Sequence, residues 1–322
     1  MKRTDPVHIA LAANHRYAPG LKATLVSMVR ACSNRGRLRF HVFSDGLTDD
    51  DKSDLIALAE RFGYREEIDF REPDMTVMER KFSAYYGTHT AFVRIFFPEI
   101  LPELDWVLWA DVDTLWFRDP IELWNERDGR SSIVWVEDLP STKQMVGEWH
   151  LRVDPLFRQH RYCCSGVMVM NLRRLRESGF VSRALEFVDQ HGTPPFADQG
   201  VFNALCSGDS KIVDDAWDLL KPNAKTDMGV VLHFNGLGKL FNVRRYTGWR
   251  PLYEIWFRHY VQIVEERPGV QVWPLWKRLG MGMLGTFRFA SPLLALLPLR
   301  PWHCDNIGRT VFFAWLRGKA LW

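Results

Sequence analysis

Apolar residues recur along the chain in two alternating rhythms. Val7–Ala13 is short and almost continuously apolar, the mark of a buried strand. Leu21, Leu25, Met28, Val29 and Cys32 then follow helical spacing and predict a helix with one buried stripe. Leu38–Ser44 repeats the strand pattern. Leu55, Leu58, Ala59 and Phe62 repeat the helical one, with Thr48 and the acids after it as a start signal. Residues 67–70 read as a third strand, and Trp106–Ala110 as a further buried strand that ends in Asp111. The second half is less regular. Residues 165–172 read as a buried strand running into a basic helix start, 197–206 as a helix, and 230–234 as a short strand. Beyond about Pro268 the pattern changes to Pro, Gly, Trp and Arg, so the chain divides into a body, 1–268, and a separate region, 269–322.

Strands that alternate with helices imply an α/β fold built on parallel βαβ units. Such sheets bind ligands at the carboxyl ends of their strands. The residues just after Ala13 and Ala110 are therefore where chemistry is expected.

Composition narrows the class. A 322-residue chain with 47% hydrophobic and 25% charged residues is an ordinary globular protein, not a disordered or disulfide-stapled one. Five cysteines, without a C-x-x-C pair, suggest free thiols and a reducing compartment. The first residues lack the apolar core of a signal peptide. The longest apolar run, 289–299, is broken by Pro292 and Pro298 and is about half the ~20 residues that a spanning helix needs. The net charge of +3 hides an asymmetry. Residues 270–322 hold seven Lys or Arg, one acid and five of the fourteen Trp, and so carry +6, which leaves −3 on the rest.

Asp111 and Asp113 follow the buried strand directly. On an extended backbone, residues i and i+2 point to the same side, so the pair forms a concentrated negative site. Oxygen ligands of this kind suit Mg²⁺ or Mn²⁺, and an ion held there could bind a diphosphate. A solvated pair of surface acids is the plainer reading.

Residues 104–120, LDWVLWADVDTLWFRDP, resemble the metal-binding segment of the family 8 glycosyltransferases, which include bacterial lipopolysaccharide galactosyl- and glucosyltransferases. Five more blocks are similar and in the family's order: HIALAANHRY at 8–17, TAFVR at 90–94, YCCSGVMVMNL at 162–172, ADQGVFN at 197–203 and VLHFNGLGK at 231–239. The resemblance covers roughly residues 7–260. It implies a GT-A fold, a Rossmann-like mixed sheet flanked by helices. The implied activity is a retaining, metal-dependent transfer of galactose or glucose from a UDP-sugar to a glycan.

The same resemblance assigns residues. His233 would join Asp111 and Asp113 as a metal ligand, and an imidazole among carboxylates favours Mn²⁺ over Mg²⁺. Val112 belongs to the same donor-binding segment. Ala12, Asn14 and Tyr17 would border the base pocket, and Arg94 would reach the donor. Asp198 would hold donor hydroxyls, with Gln199 near the anomeric carbon as the second catalytic position. Cys164 and Ser165 would line the sugar. Gly236 would admit the diphosphate closely, and Lys239 would oppose its charge. Two departures stand out. Asn14 occupies a position where the family has Asp, and Cys164 one where it has Asn.

The 269–322 region mixes cations with Trp, which favour anionic lipid and membrane interfaces respectively. It implies peripheral attachment of a cytoplasmic enzyme to the inner face of the cytoplasmic membrane, close to a glycolipid acceptor. Packing of this region on the body is the alternative. No nucleic-acid recognition motif accompanies it, and nucleic acid is not expected as a partner. Two other functions fit parts of the pattern: a catalytically silent nucleotide-sugar-binding protein, and a metal-dependent nucleotidyltransferase. The second would want a Gly-rich phosphate loop, which residues 12–20 do not form.

Overall fold

The computed structural model describes residues 5–85, 87–220 and 229–234. The expected 269–322 region, Gly236, Lys239 and the boundary assigned at 268 lie outside these described residues.

Eighteen elements follow in chain order: β1 (Val7–Ala13), α1 (Ala18–Ala31), β2 (Leu38–Ser44), α2 (Asp49–Arg61), β3 (Ile68–Arg71), α3 (Thr76–Lys81), α4 (Phe97–Ile100), β4 (Trp106–Ala110), β5 (Thr114–Trp116), α5 (Pro120–Trp124), β6 (Ile133–Glu137), α6 (Pro140–Val153), β7 (Cys163–Asn171), α7 (Leu172–Glu177), α8 (Phe180–His191), α9 (Asp198–Cys206), β8 (Ser210–Val213) and β9 (Val231–His233). Seven strands form one sheet in the order β3-β2-β1-β4-β7-β6-β8, and β5 pairs with β9 in a second, small sheet. Helix α2 starts where expected. Thr48 caps it and exchanges bonds with Asp51 in a capping box, which satisfies two orphan donors.

The β1-β2, β2-β3, β1-β4 and β6-β8 pairs are parallel. Strand β7 is antiparallel to both β4 and β6. Parallel pairing, as expected of βαβ units, therefore links β3, β2, β1 and β4 and again β6 and β8, and the antiparallel β7 makes the sheet mixed, as the family resemblance implies. Every residue of β7 is buried, so it reads as one apolar run instead of an alternation. Because β7 runs backwards, its first residues lie beside the last residues of β4 and β6. Val167 sits opposite Ala110, and Cys163 opposite Glu137. The carboxyl ends of β1, β4 and β6 and the amino end of β7 thus meet at one edge of the sheet.

Asp111 to Asp113 do not continue β4 as an extended segment. Strand β4 stops at Ala110, and the Asp111 carbonyl accepts from Thr114 N at 3.2 Å and Thr114 Oγ1 at 2.8 Å, which closes a turn. The turn sends the chain into β5, braced from beneath by α1. Thr24 Oγ1 donates to Thr114 O at 2.8 Å, and Ser27 Oγ accepts from Trp116 N at 3.0 Å, both buried.

This brace is testable. Ser27→Ala leaves the buried Trp116 N–H without that acceptor, which costs about 1–3 kcal/mol. Urea denaturation of the variant reads the loss directly. An unchanged midpoint would mean that the Ser27 bond does not help to hold β5 on α1.

Candidate active site

At the shared edge, the turn after β4, the end of β9, the start of β7 and the first turn of α9 bring six polar side chains together. Strand β9 pairs with β5 so that His233 lies opposite Thr114. Phe234 N donates to Asp113 O at 3.0 Å, locking the two segments side by side. His233 Nε2 then faces Asp113 Oδ1 at 3.4 Å and Asp111 Oδ2 at 3.7 Å. Its other nitrogen, Nδ1, lies 2.8 Å from Asp218 Oδ1. Burial works against charge on this imidazole. Asp218 and Asp113 outweigh it and hold the His233 pKa well above its ordinary value.

His233 fits here because residue 166 is glycine. A Cβ at Gly166 would lie 2.2 Å from His233 Cε1 and 2.6 Å from Nδ1, far inside contact distance. The ring therefore packs on the Gly166 backbone, whose carbonyl also accepts from Asp111 N at 2.7 Å.

Arg94 is the second organising group. It is 3% exposed, and its guanidinium approaches Asp111 Oδ1 at 3.0 Å and Asp198 Oδ2 at 2.9 Å. It also donates to Ser165 O at 2.6 Å and lies 4.4 Å from the Trp109 ring centroid. Asp198 opens α9 after a strained approach, since Phe196 and Ala197 have φ of 57° and 53°. Gly200 permits this entry, because a Cβ there would lie 2.6 Å from Pro194 Cβ. Burial raises the Asp198 pKa from 3.8 to about 6, with Arg94 opposing the shift and Asp111 reinforcing it.

Gln199 is clamped at both ends of its amide. Oε1 accepts from Ser165 N at 3.1 Å, and Nε2 donates to Asp138 Oδ2 at 2.8 Å. Asn203, one turn on, fixes the helix against Cys163 through its N–H and carbonyl, both at 2.8 Å. Burial pushes the Asp138 pKa up.

The structure thus gathers Arg94, Asp111, Asp113, Ser165, Asp198, Gln199 and His233 into one network. Val112 lies within the same turn with its side chain buried. Cys164 faces His233 Nδ1 with its Sγ at 3.9 Å. The four cysteines among the described residues are free thiols, and burial raises the Cys164 pKa. Ala12, Asn14 and Tyr17 stand at the neighbouring end of β1, where Asn14 Oδ1 accepts from Tyr17 N at 3.2 Å and caps a short 3-10 turn. Two carboxylates escape the sequence reading. Asp138 follows β6 as Asp111 follows β4, so the strand-end rule finds it once β6 is recognised. Asp218 carries no comparable signal.

The residues present fit a divalent cation. The ligand atoms of Asp111, Asp113 and His233 lie within 4.8 Å of one another. Two carboxylates and an imidazole form a donor set suited to Mn²⁺. The ligand atoms of Cys164, Asp218 and His233 also lie within 4.8 Å of one another, on the opposite side of the ring.

Removing the central cation tests the network. Arg94→Leu leaves two carboxylates facing each other in a largely buried site, and a cost of about 3–5 kcal/mol is expected in chemical denaturation. A loss under about 1 kcal/mol would mean that solvent already screens the pair.

The Glycosyl transferase family 8 profile matches residues 8–240. General stress protein A of Bacillus subtilis (strain 168) is 22% identical over 255 residues, 78% of this chain and 84% of that protein. Glucoside xylosyltransferase 1 of Rattus norvegicus is 27% identical over 190 residues, 55% of this chain and 40% of that protein. Among solved structures, the galactosyltransferase LgtC in complex with donor and acceptor sugar analogues aligns with a TM-score of 0.66 at 20% identity, over 82% of this chain and 97% of that one. The bifunctional glycosyltransferase WbbM aligns with a TM-score of 0.67 at 15% identity over 87% of this chain, which spans about half (52%) of WbbM. These structural likenesses bear on fold. Together with the profile match over most of the chain, they establish that this protein belongs to glycosyl transferase family 8, a transferase on a GT-A fold.

Proposed function

We propose that the chain is a retaining, metal-dependent hexosyltransferase. It takes galactose or glucose from a UDP-sugar and passes it to a glycan acceptor, lipopolysaccharide or another lipid-linked saccharide. The observation that carries this reading is the approach of His233 Nε2 to both Asp111 and Asp113, beside the Arg94–Asp198–Gln199 network. Asp111, Asp113 and His233 would hold a divalent ion, which would supply Lewis-acid charge to the diphosphate leaving group.

The chain's own residues divide the remaining work. Asp198, with Arg94 behind it, offers carboxylate oxygens to sugar hydroxyls and resists displacement because its partner is buried. Gln199 has its carbonyl turned to the Ser165 N–H, and an amide is a weak nucleophile. This favours attack by the acceptor hydroxyl on the face from which the diphosphate leaves, its proton passing to the departing phosphate oxygen. Ala12, Asn14 and Tyr17 border the base at the end of β1. Lys239 and Gly236 would stand beside the diphosphate. The 269–322 region would hold the enzyme peripherally on the cytoplasmic membrane face. Among the described residues no helix is long and apolar enough to cross a membrane.

Donor hydrolysis tests the reading. With Mn²⁺ and a panel of UDP-galactose, UDP-glucose, UDP-N-acetylglucosamine and UDP-xylose, a hexose donor should bind and turn over best. Asp113→Asn should lower turnover on the order of a hundredfold or more, the effect of losing several kcal/mol of charge stabilisation. Undiminished hydrolysis in that variant would remove the metal assignment.

Asp198 gives a pH dependence. With its pKa pushed up to about 6, the carboxylate is ionised above that value, so donor turnover should fall as pH drops through about 6. Stability has the opposite sign. A folded-state pKa above the unfolded one favours folding below about pH 4, and that contribution is lost as pH rises through about 6. A turnover profile flat from pH 5 to 7 would contradict the role, on the order-of-magnitude sense of that shift.

A further inference from the structure

The motifs that mark this site do not include Asp218, yet it makes the shortest contact to His233. Its Oδ1 lies 2.8 Å from His233 Nδ1, and the two side chains are 0% and 3% exposed. Fifteen residues separate them in sequence, so the contact depends on backbone pairing. Leu219 N donates to Val231 O at 2.8 Å, and His233 N donates to Leu219 O at 3.2 Å. The segment at 218–219 therefore lies alongside β9 as a parallel bridge, with Leu219 beside Leu232. Trp217 anchors it, buried beneath the Arg118 guanidinium, which sits 3.8 Å from the ring centroid.

Three constraints now act on one imidazole. Gly166 supports the ring on a surface with no room for a methyl group. Asp218 takes Nδ1. Only Nε2 is directed to Asp111 and Asp113. The Cys164 thiol is 3.9 Å from Nδ1, too distant to compete with a carboxylate at 2.8 Å. Burying Asp218 carries a desolvation cost, and its second oxygen, Oδ2, has no hydrogen-bond partner among the described residues.

We propose that Asp218 is a positioning residue for the cation-binding face of His233. It accepts the Nδ1–H, so that a cation displaces the proton of Nε2, the nitrogen facing Asp111 and Asp113, and it strengthens that nitrogen as a ligand. A carboxylate behind a ligating histidine has this effect in metal sites generally. The inference rests on the metal-dependent reading above. It adds a residue that touches neither donor nor cation and acts only through the imidazole.

Mn²⁺ binding to the full chain, without donor, separates the possibilities. Free Mn²⁺ is followed by electron paramagnetic resonance for wild type, Asp218→Asn and Asp113→Asn, and melting in chelator is measured alongside. Asp218→Asn keeps an acceptor oxygen but loses the charge. It should raise the Mn²⁺ Kd by about 10–100-fold, with metal-free melting close to wild type, while Asp113→Asn abolishes binding. Wild-type Mn²⁺ affinity in Asp218→Asn, with binding lost in Asp113→Asn, would overturn the positioning role and leave the metal reading standing. Wild-type affinity in both would overturn both. A second readout uses the unmodified chain. Co²⁺ bound through Nε2 should give no sulfur-to-cobalt charge-transfer band. Such a band, lost in Cys164→Ser, would place the ion on the Nδ1 side with Asp218 as a direct ligand, and would overturn the proposal.

Discussion

Arg94 holds two carboxylates that would otherwise repel each other. Asp111 comes from the turn after β4 and Asp198 from the first turn of α9, and one guanidinium reaches both at about hydrogen-bond distance. It is almost wholly buried, so its attraction to the equally buried Asp198 is little screened by water, while Asp111 is more open to solvent. The Trp109 face below it and the Ser165 carbonyl beside it leave the cation little room to move. Asp198 still feels the burial, and so titrates higher than an exposed acid. Without this cation, Asp198 and Asp111 would repel across the gap between α9 and the end of β4, and the Gln199 and Asn203 hydrogen bonds would have to offset both that repulsion and the Phe196–Ala197 strain.

The reversed strand β7 makes that closure possible. A parallel strand in its place would put Ser165 and Gly166 at the far edge of the sheet. Run antiparallel, β7 sets the Ser165 N–H against Gln199, the Ser165 carbonyl against Arg94, and the Gly166 backbone against His233. Three neighbouring groups thus serve three different side chains, and all of them are backbone. Substitution at Ser165 therefore leaves these backbone contacts in place and removes only its hydroxyl's bond to Asp198, whereas at Gly166 any side chain meets the imidazole.

Much of this architecture can be read from the sequence, and the remainder is hidden for definite reasons. Strands β1, β2 and β4 are continuous apolar runs bounded by polar residues, so their limits follow from hydropathy. Helix α6 buries only Val146 and His150, so it has no stripe to detect. Strand β6 is as apolar as β4 but goes unrecognised, and Asp138 at its end goes with it. Helix α8 carries a clear stripe at Phe180, Val181, Ala184 and Val188 that helical spacing could have found. In the site, Arg94, Asp111, Asp113, Asp198, Gln199 and His233 are readable because short local motifs surround them. The extended geometry expected of Asp111 to Asp113 fails because Thr114 closes a turn, yet the carboxylates converge all the same. Asp218 is unreadable in principle. Its position depends on the pairing of 218–219 with β9, and no local pattern records that pairing.

Charge balance gives the network its direction. Asp111, Asp113, Asp198 and Asp218 converge on one guanidinium and one imidazole, and Asp138 meets the Gln199 amide beside them. This excess of carboxylates over cations among the described residues works against an anionic donor. Asp138 and Asp198 respond as burial dictates, with raised pKa values. Asp111 and Asp113 face the one nitrogen that Asp218 and Gly166 leave directed outward. The excess of negative charge is therefore concentrated at a single point of hard oxygen ligands beside an oriented imidazole. On the proposed reading, that concentration makes diphosphate binding conditional on a divalent cation. A site with its carboxylates spread evenly would have no such dependence.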